Sequence, residues 1–155
     1  MENDQIKQKL PGSIILILIF IGGGTILWVS KIFKYPSFQL GPVFVTGVGS
    51  IIVNLVIVGI MGIIFYGIIK RLSWARKLAI SMYIFLMAQS LINLISFFAN
   101  KTMYNSYFQE FYPTISSLRV PVLMTSSLTS ALINGWIIGF VVIFYLIRKK
   151  DFFVN

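Results

Sequence analysis

The chain contains no cysteine and no histidine. Without cysteine there can be no disulfide, no thiolate metal site, no c-type haem attachment and no quinone-linked disulfide relay; without histidine, imidazole acid–base chemistry is closed as well. Charge is scarce: 11% of the 155 residues are charged, where soluble domains carry about 25%. Only four acids occur, Glu2, Asp4, Glu110 and Asp151. They lie far apart and outside every apolar run, so no paired carboxylates and no general base offer themselves. No glycine-rich phosphate loop is present either. The sequence therefore reads as non-catalytic, with no metal and no cofactor.

What is abundant is apolar surface, at 57% of residues. It is gathered into four runs, about 13–29, 43–69, 78–98 and 126–147, none holding Asp, Glu, Lys or Arg. Each has at least 17 residues, within the length range of helices that cross a bilayer's hydrocarbon core. A lone apolar segment in lipid must satisfy its own backbone, which selects helix. The expected fold is an all-α membrane protein, one domain of four transmembrane helices in an antiparallel bundle. The first run follows Lys7 and Lys9 as a signal peptide's would, but only Gly22-Gly23-Gly24 resembles a cleavage site, so it is read as a retained helix.

Basic residues set the expected orientation. Of the 13, nine fall in the N-terminal tail (two), the 70–77 segment (four) and the C-terminal tail (three), against four in the other two loops. The positive-inside rule then places both termini and 70–77 in the cytoplasm of a cell-membrane protein, and an even number of spans requires the termini to share a side. Lys70, Arg71, Trp74, Arg76, Lys77, Arg148, Lys149 and Lys150 are thus expected to anchor topology and meet lipid headgroups. The net charge of +9 invites a nucleic-acid reading. The 70–77 block is pinned between two membrane helices, however, so anionic lipid is the expected partner and nucleic acid is not.

The other side holds two loops. The first, KIFKYPSFQLGP, is short and aromatic. The second, about 99–125, places Tyr104, Tyr107, Phe108, Phe111 and Tyr112 at three- and four-residue steps before Pro113, the pattern either of a short amphipathic helix in the interface or of an aromatic loop packed against the bundle mouth. Asn100-Lys101-Thr102 matches the N-glycosylation acceptor pattern.

Within the runs the polar residues of note are amides: Asn54, Gln89, Asn93 and Asn134. Counted from the basic ends at 1.5 Å per residue, they lie roughly 18–24 Å deep, where they form one expected polar layer. Such a layer serves either as hydrogen-bonding glue between helices or as the lining of a pocket for a small polar ligand. Ser127, Ala131, Gly135 and Gly139 recur at four-residue steps, an expected seam for close helix approach.

Three short stretches bear on ancestry: Pro11-Gly12 entering a glycine-containing helix; Tyr66-Gly67 followed by Leu72, Trp74, Arg76 and Ala79; and Tyr145-Leu146-Ile147-Arg148 trailed by Phe152. In these the chain resembles the loose group of uncharacterised small four-helix membrane proteins of archaea and bacteria. The resemblance implies four spans with inside termini and no particular activity. The leading expectation is an accessory or structural subunit of a larger membrane complex, contacting lipid and other subunits or its own copies. A small oligomeric transporter or channel using the amide layer, and a protein of the bacteriocin-immunity kind, are the alternatives.

Overall fold

Helices dominate, as the apolar runs require, but the second run does not begin as one. The computed structural model describes residues 10–34, 37–102, 106 and 120–153, with side chains described throughout these except at Lys31, Lys34, Ser37, residues 120–128, Ser130, Ala131 and Asn134. Helix α1 spans Gly12–Lys34, strands β1 (Ser37–Leu40) and β2 (Val43–Thr46) follow, then α2 (Gly47–Ile69), α3 (Ser73–Ala99) and α4 (Val120–Arg148). A single 3-10 turn, Lys150–Phe152, closes the described chain. Among the described residues, three helical stretches, Gly12–Ser30, Gly47–Ile69 and Ser73–Ala99, are long and apolar enough to cross a membrane, and Gly135–Arg148 is a shorter apolar stretch within α4.

The hairpin is a departure from the all-helical expectation, with a local cause. β1 and β2 pair antiparallel, Leu40 opposite Val43 and Ser37 opposite Thr46. Gly41 and Pro42 form the two-residue loop. Gly41 takes φ +59, and glycine at the first central position suits the II′ loops that match strand twist, while proline fixes the second. Val43, Val45 and Thr46 are β-branched and stiff at χ1, which favours strand. Gly47, at φ +61, then turns the chain into α2. The hydropathy of residues 43–46 concealed this boundary.

Helices α2 and α3 meet in a very short turn. Leu72 N–H donates to the Gly67 carbonyl (2.9 Å) and Arg71 N–H to that of Ile68 (3.0 Å). This is the Schellman pattern, with Arg71 holding the left-handed position (φ +60) usually given to glycine. The helix resumes at Ser73, so Trp74, Arg76 and Lys77 belong to the first turns of α3 rather than to a loop. Gly67 allows the approach: a Cβ there would collide with that of Ala75 and lie 3.0 Å from the Trp74 ring.

The helices pack in sequence, α1 on α2, α2 on α3, α3 on α4, with α4 returning to α1 in the slightest of these contacts. One buried cluster joins Ile14, Ile17 and Ile21 of α1, Ile57, Ile64 and Ile68 of α2, Ala75, Ala79 and Met82 of α3, and Val142 and Leu146 of α4. Most of these lie in the half of the bundle nearest the 70–72 turn. Phe153 joins the same cluster, and the Arg71 guanidinium lies over the Phe152 ring (4.8 Å). The start of α1, the 70–72 turn and the end of α4 therefore share one end of the bundle, the basic end.

Candidate functional site

The opposite half is built differently. There the hairpin lies against α2 and, through β1, against α3. Gln89 and Asn93 are four residues apart and so share a face of α3. Both reach the hairpin backbone. Gln89 Nε2 donates to the Gln39 carbonyl (2.7 Å), and Asn93 Nδ2 donates to the same oxygen (3.3 Å). In return Gly41 N–H donates to Asn93 Oδ1 (2.7 Å), and Gln39 Nε2 donates to the Gly41 carbonyl (3.1 Å). A tight turn leaves backbone groups without ladder partners, and these amides supply them. Gly41 is also close to α3: a Cβ there would lie 3.0 Å from Ile92 Cγ2 and 3.2 Å from Ser96 Oγ.

Asn54 stands apart from this network. It is fully buried, and its Nδ2 donates to the Ser50 carbonyl of its own helix (2.8 Å). Its Oδ1 is buried without a hydrogen-bond partner. The structure thus brings Gln89 and Asn93 together on the hairpin and leaves Asn54 bonded within α2. The Asn134 side chain lies outside the described residues.

Beneath the hairpin a cleft of about 680 Å³ opens among the helices. α1 lends it Ile19, Phe20, Gly23, Gly24, Leu27 and Trp28; α3 lends Tyr83, Leu86, Gln89, Ser90 and Asn93; Met61, Gly135 and Ile138 complete it. The polar groups of the described lining residues are amides, hydroxyls and the Trp28 indole, and none of these residues carries a formal charge. Ser90 Oγ donates to the Met87 carbonyl and accepts from Trp136 Nε1 (3.1 Å), so its capacity is engaged in tying α4 to α3.

Residues of the expected seam divide between two environments. Gly139 is buried, and a Cβ there would press on Met87 Sδ at 2.7 Å, so this glycine lets α3 and α4 close. Gly135, one turn earlier, is exposed at the edge of the cleft, with nothing within 4 Å of a Cβ. The side chains of Ser127 and Ala131 lie outside the described residues. Tyr104, Tyr107, Phe108, Phe111 and Tyr112 lie outside them altogether, while Asn100 is exposed at the end of α3.

At the basic end, Lys70 Nζ lies over the Tyr66 ring (5.9 Å) and the Arg148 guanidinium over Phe144 (5.9 Å). Lys77, Arg148 and Lys150 are exposed, Lys149 partly so, and Trp74 is 43% exposed. Arg76 is half-buried, its Nε enclosed without a hydrogen-bond partner. The residues of the cleft and its wall that sequence reading missed are Trp136 and Tyr83. Their position on two facing helices, some fifty residues apart in sequence, left no local signal.

Comparison with known protein families, with curated proteins and with solved structures finds no match to this chain.

Proposed function

We propose that this chain is a multi-pass integral membrane protein, non-catalytic, with both termini cytoplasmic, serving as an accessory or structural subunit of a larger membrane assembly. Three helices of spanning length support insertion, as does the outward face of the bundle. Val48, Ile26 and Leu27 are 70–74% exposed, a cost in water that disappears in lipid. The basic end, with its aromatic partners, supports the orientation.

The observation that carries the subunit role is on α2. Gly59 and Gly62 are exposed, one turn apart, and a Cβ at either would meet nothing within 4 Å. Glycine in a helix interior costs about 1 kcal/mol relative to alanine. Gly67 and Gly139 offset that by admitting a neighbouring helix of the same chain, whereas Gly59 and Gly62 admit none. Flanked by exposed Ile52, Leu55, Val56 and Ile63, they make a shallow groove suited to a helix of another subunit.

The transporter alternative draws less support, because Gln89 and Asn93 direct their donors at the Gln39 carbonyl and so hold the hairpin in place. The test is crosslinking in native membranes from a photoreactive residue at position 55, followed by co-purification. A discrete partner lost with Gly59→Leu/Gly62→Leu supports the reading; a lone, uncrosslinked monomer overturns it.

A further inference from the structure

Two polar groups in the cleft are unspent. Tyr83 and Gln89 are each only 8% exposed, and both line it. Gln89 uses Nε2 on the hairpin, but neither its Oε1 nor the Tyr83 hydroxyl has a hydrogen-bond partner among the described residues. Neither oxygen is among the enclosed unpartnered atoms, so each stays open to the cleft that its residue lines, where a ligand's polar group can reach it. By contrast, Ser90 and Asn93 in the same wall are engaged. The two open groups are six residues apart on α3, roughly 9 Å along its axis.

The cleft opens sideways. Its rim includes Ile19 and Leu27 (61% and 70% exposed), together with Gly23 and Gly135, which are exposed and have nothing within 4 Å of a Cβ. These residues lie on α1 and α4, whose contact is slighter than those of α1 with α2, α2 with α3 and α3 with α4. Tyr83 and Gln89 lie roughly 15 and 24 Å along α3 from its start at the basic end. With the chain inserted as proposed above, the mouth therefore faces acyl chains rather than water.

We propose that this cleft binds a neutral, single-chain lipid bearing a hydroxyl group, which enters laterally between α1 and α4 and exchanges hydrogen bonds with Tyr83 Oη and Gln89 Oε1. Each term follows from the site. The walls are mostly apolar, so the body of the ligand is hydrocarbon. Gln89 Oε1 can only accept, so the ligand must donate, and a hydroxyl both donates and accepts. No basic side chain is among the described lining residues, so an anionic head at this depth would be desolvated without compensation from them. At the roughly 30 Å³ a water-sized group occupies in a liquid, the cleft admits about twenty heavy atoms, one chain with a small head.

The proposal rests on membrane insertion but not on the subunit role. It is tested with the full chain in phosphatidylcholine nanodiscs, by native mass spectrometry with three probes of one chain length: oleyl alcohol, 1-octadecene and oleate. Oleyl alcohol is expected to bind at least tenfold more tightly than either of the others. Tyr83→Phe, which removes one oxygen, should reduce alcohol binding about fivefold and narrow its margin over the alkene. Gly135→Leu and Gly23→Leu, which have room for the new side chain, should weaken all binding with the melting temperature unchanged. Oleate binding best, equal binding of alcohol and alkene, or an alcohol preference intact in Tyr83→Phe would each overturn the proposal. Failure here would leave the crosslinking result on α2 untouched, so the two readings fall separately.

Discussion

Two asparagines show how one residue type serves opposite ends. Asn93 accepts from Gly41 N–H and donates to the Gln39 carbonyl. Asn93→Leu leaves both hairpin groups without that partner, and a buried unmet group costs about 1–3 kcal/mol. The expected outcome is a destabilisation of that size, with faster hydrogen exchange at residues 37–46 than in α3. Asn54 carries the reverse expectation. Its Oδ1 is buried and unpartnered, so Asn54→Leu, similar in volume, should leave stability unchanged or raise it by about 1 kcal/mol. Equilibrium unfolding in mixed micelles checks both; a large loss at Asn54 would mean that its amide serves a partner from outside the chain. Arg71 is a third case. It holds φ +60, where a Cβ costs roughly 1–2 kcal/mol, and it stacks on Phe152. Arg71→Gly should accordingly be more stable than Arg71→Ala by about 1 kcal/mol, since both lose the stacking and only glycine loses the strain.

At the level of elements, the glycines divide by what they face. Gly67 sits where α2 meets the start of α3, with Ala75 and Trp74 against it. Gly67→Ala is expected to cost about 1–3 kcal/mol by overpacking. Gly62→Ala, on the open face of α2, should stabilise the isolated protein by up to about 1 kcal/mol, and only complex formation should register the added methyl. Thermal melts of the two variants, run beside the crosslinking assay, separate packing inside the chain from packing against a neighbour. A loss of stability in Gly62→Ala comparable to that in Gly67→Ala would refute the distinction. The hairpin belongs to this scale too. Its signals were present in the sequence, a Gly-Pro loop ahead of the β-branched Val43, Val45 and Thr46. They were hidden because hydropathy counts a buried strand and the start of a helix alike.

The described molecule is polarised along its axis, with a buried apolar core toward the basic end and a cleft under a hydrogen-bonded cap at the other. If charge sets the orientation, reporters fused to either terminus should give the cytoplasmic signal. Neutralising Lys70, Arg71, Arg76 and Lys77 together should yield a mixture of orientations. A periplasmic or luminal signal from both termini of the unaltered chain would overturn that assignment.

Much of this was legible in one dimension. The helical class follows because a chain with so little charge and such long apolar runs must satisfy its backbone locally. The breaks between helices follow from Pro, Gly and basic clusters. That Gln89 and Asn93 share a face follows from their four-residue spacing. None of this required knowing which helix lies beside which. The rest depended on contacts between residues about fifty apart: Asn93 with Gly41, Gln89 with Gln39, Trp136 with Ser90. Spacing assigns a side chain to a face of its own helix but carries no record of the backbone that face will meet. Only the assembled bundle decided that two amides hold a hairpin, that Gly139 closes a contact while Gly135 leaves one open, and that Tyr83 and half of Gln89 face a cleft with no partner among the described residues.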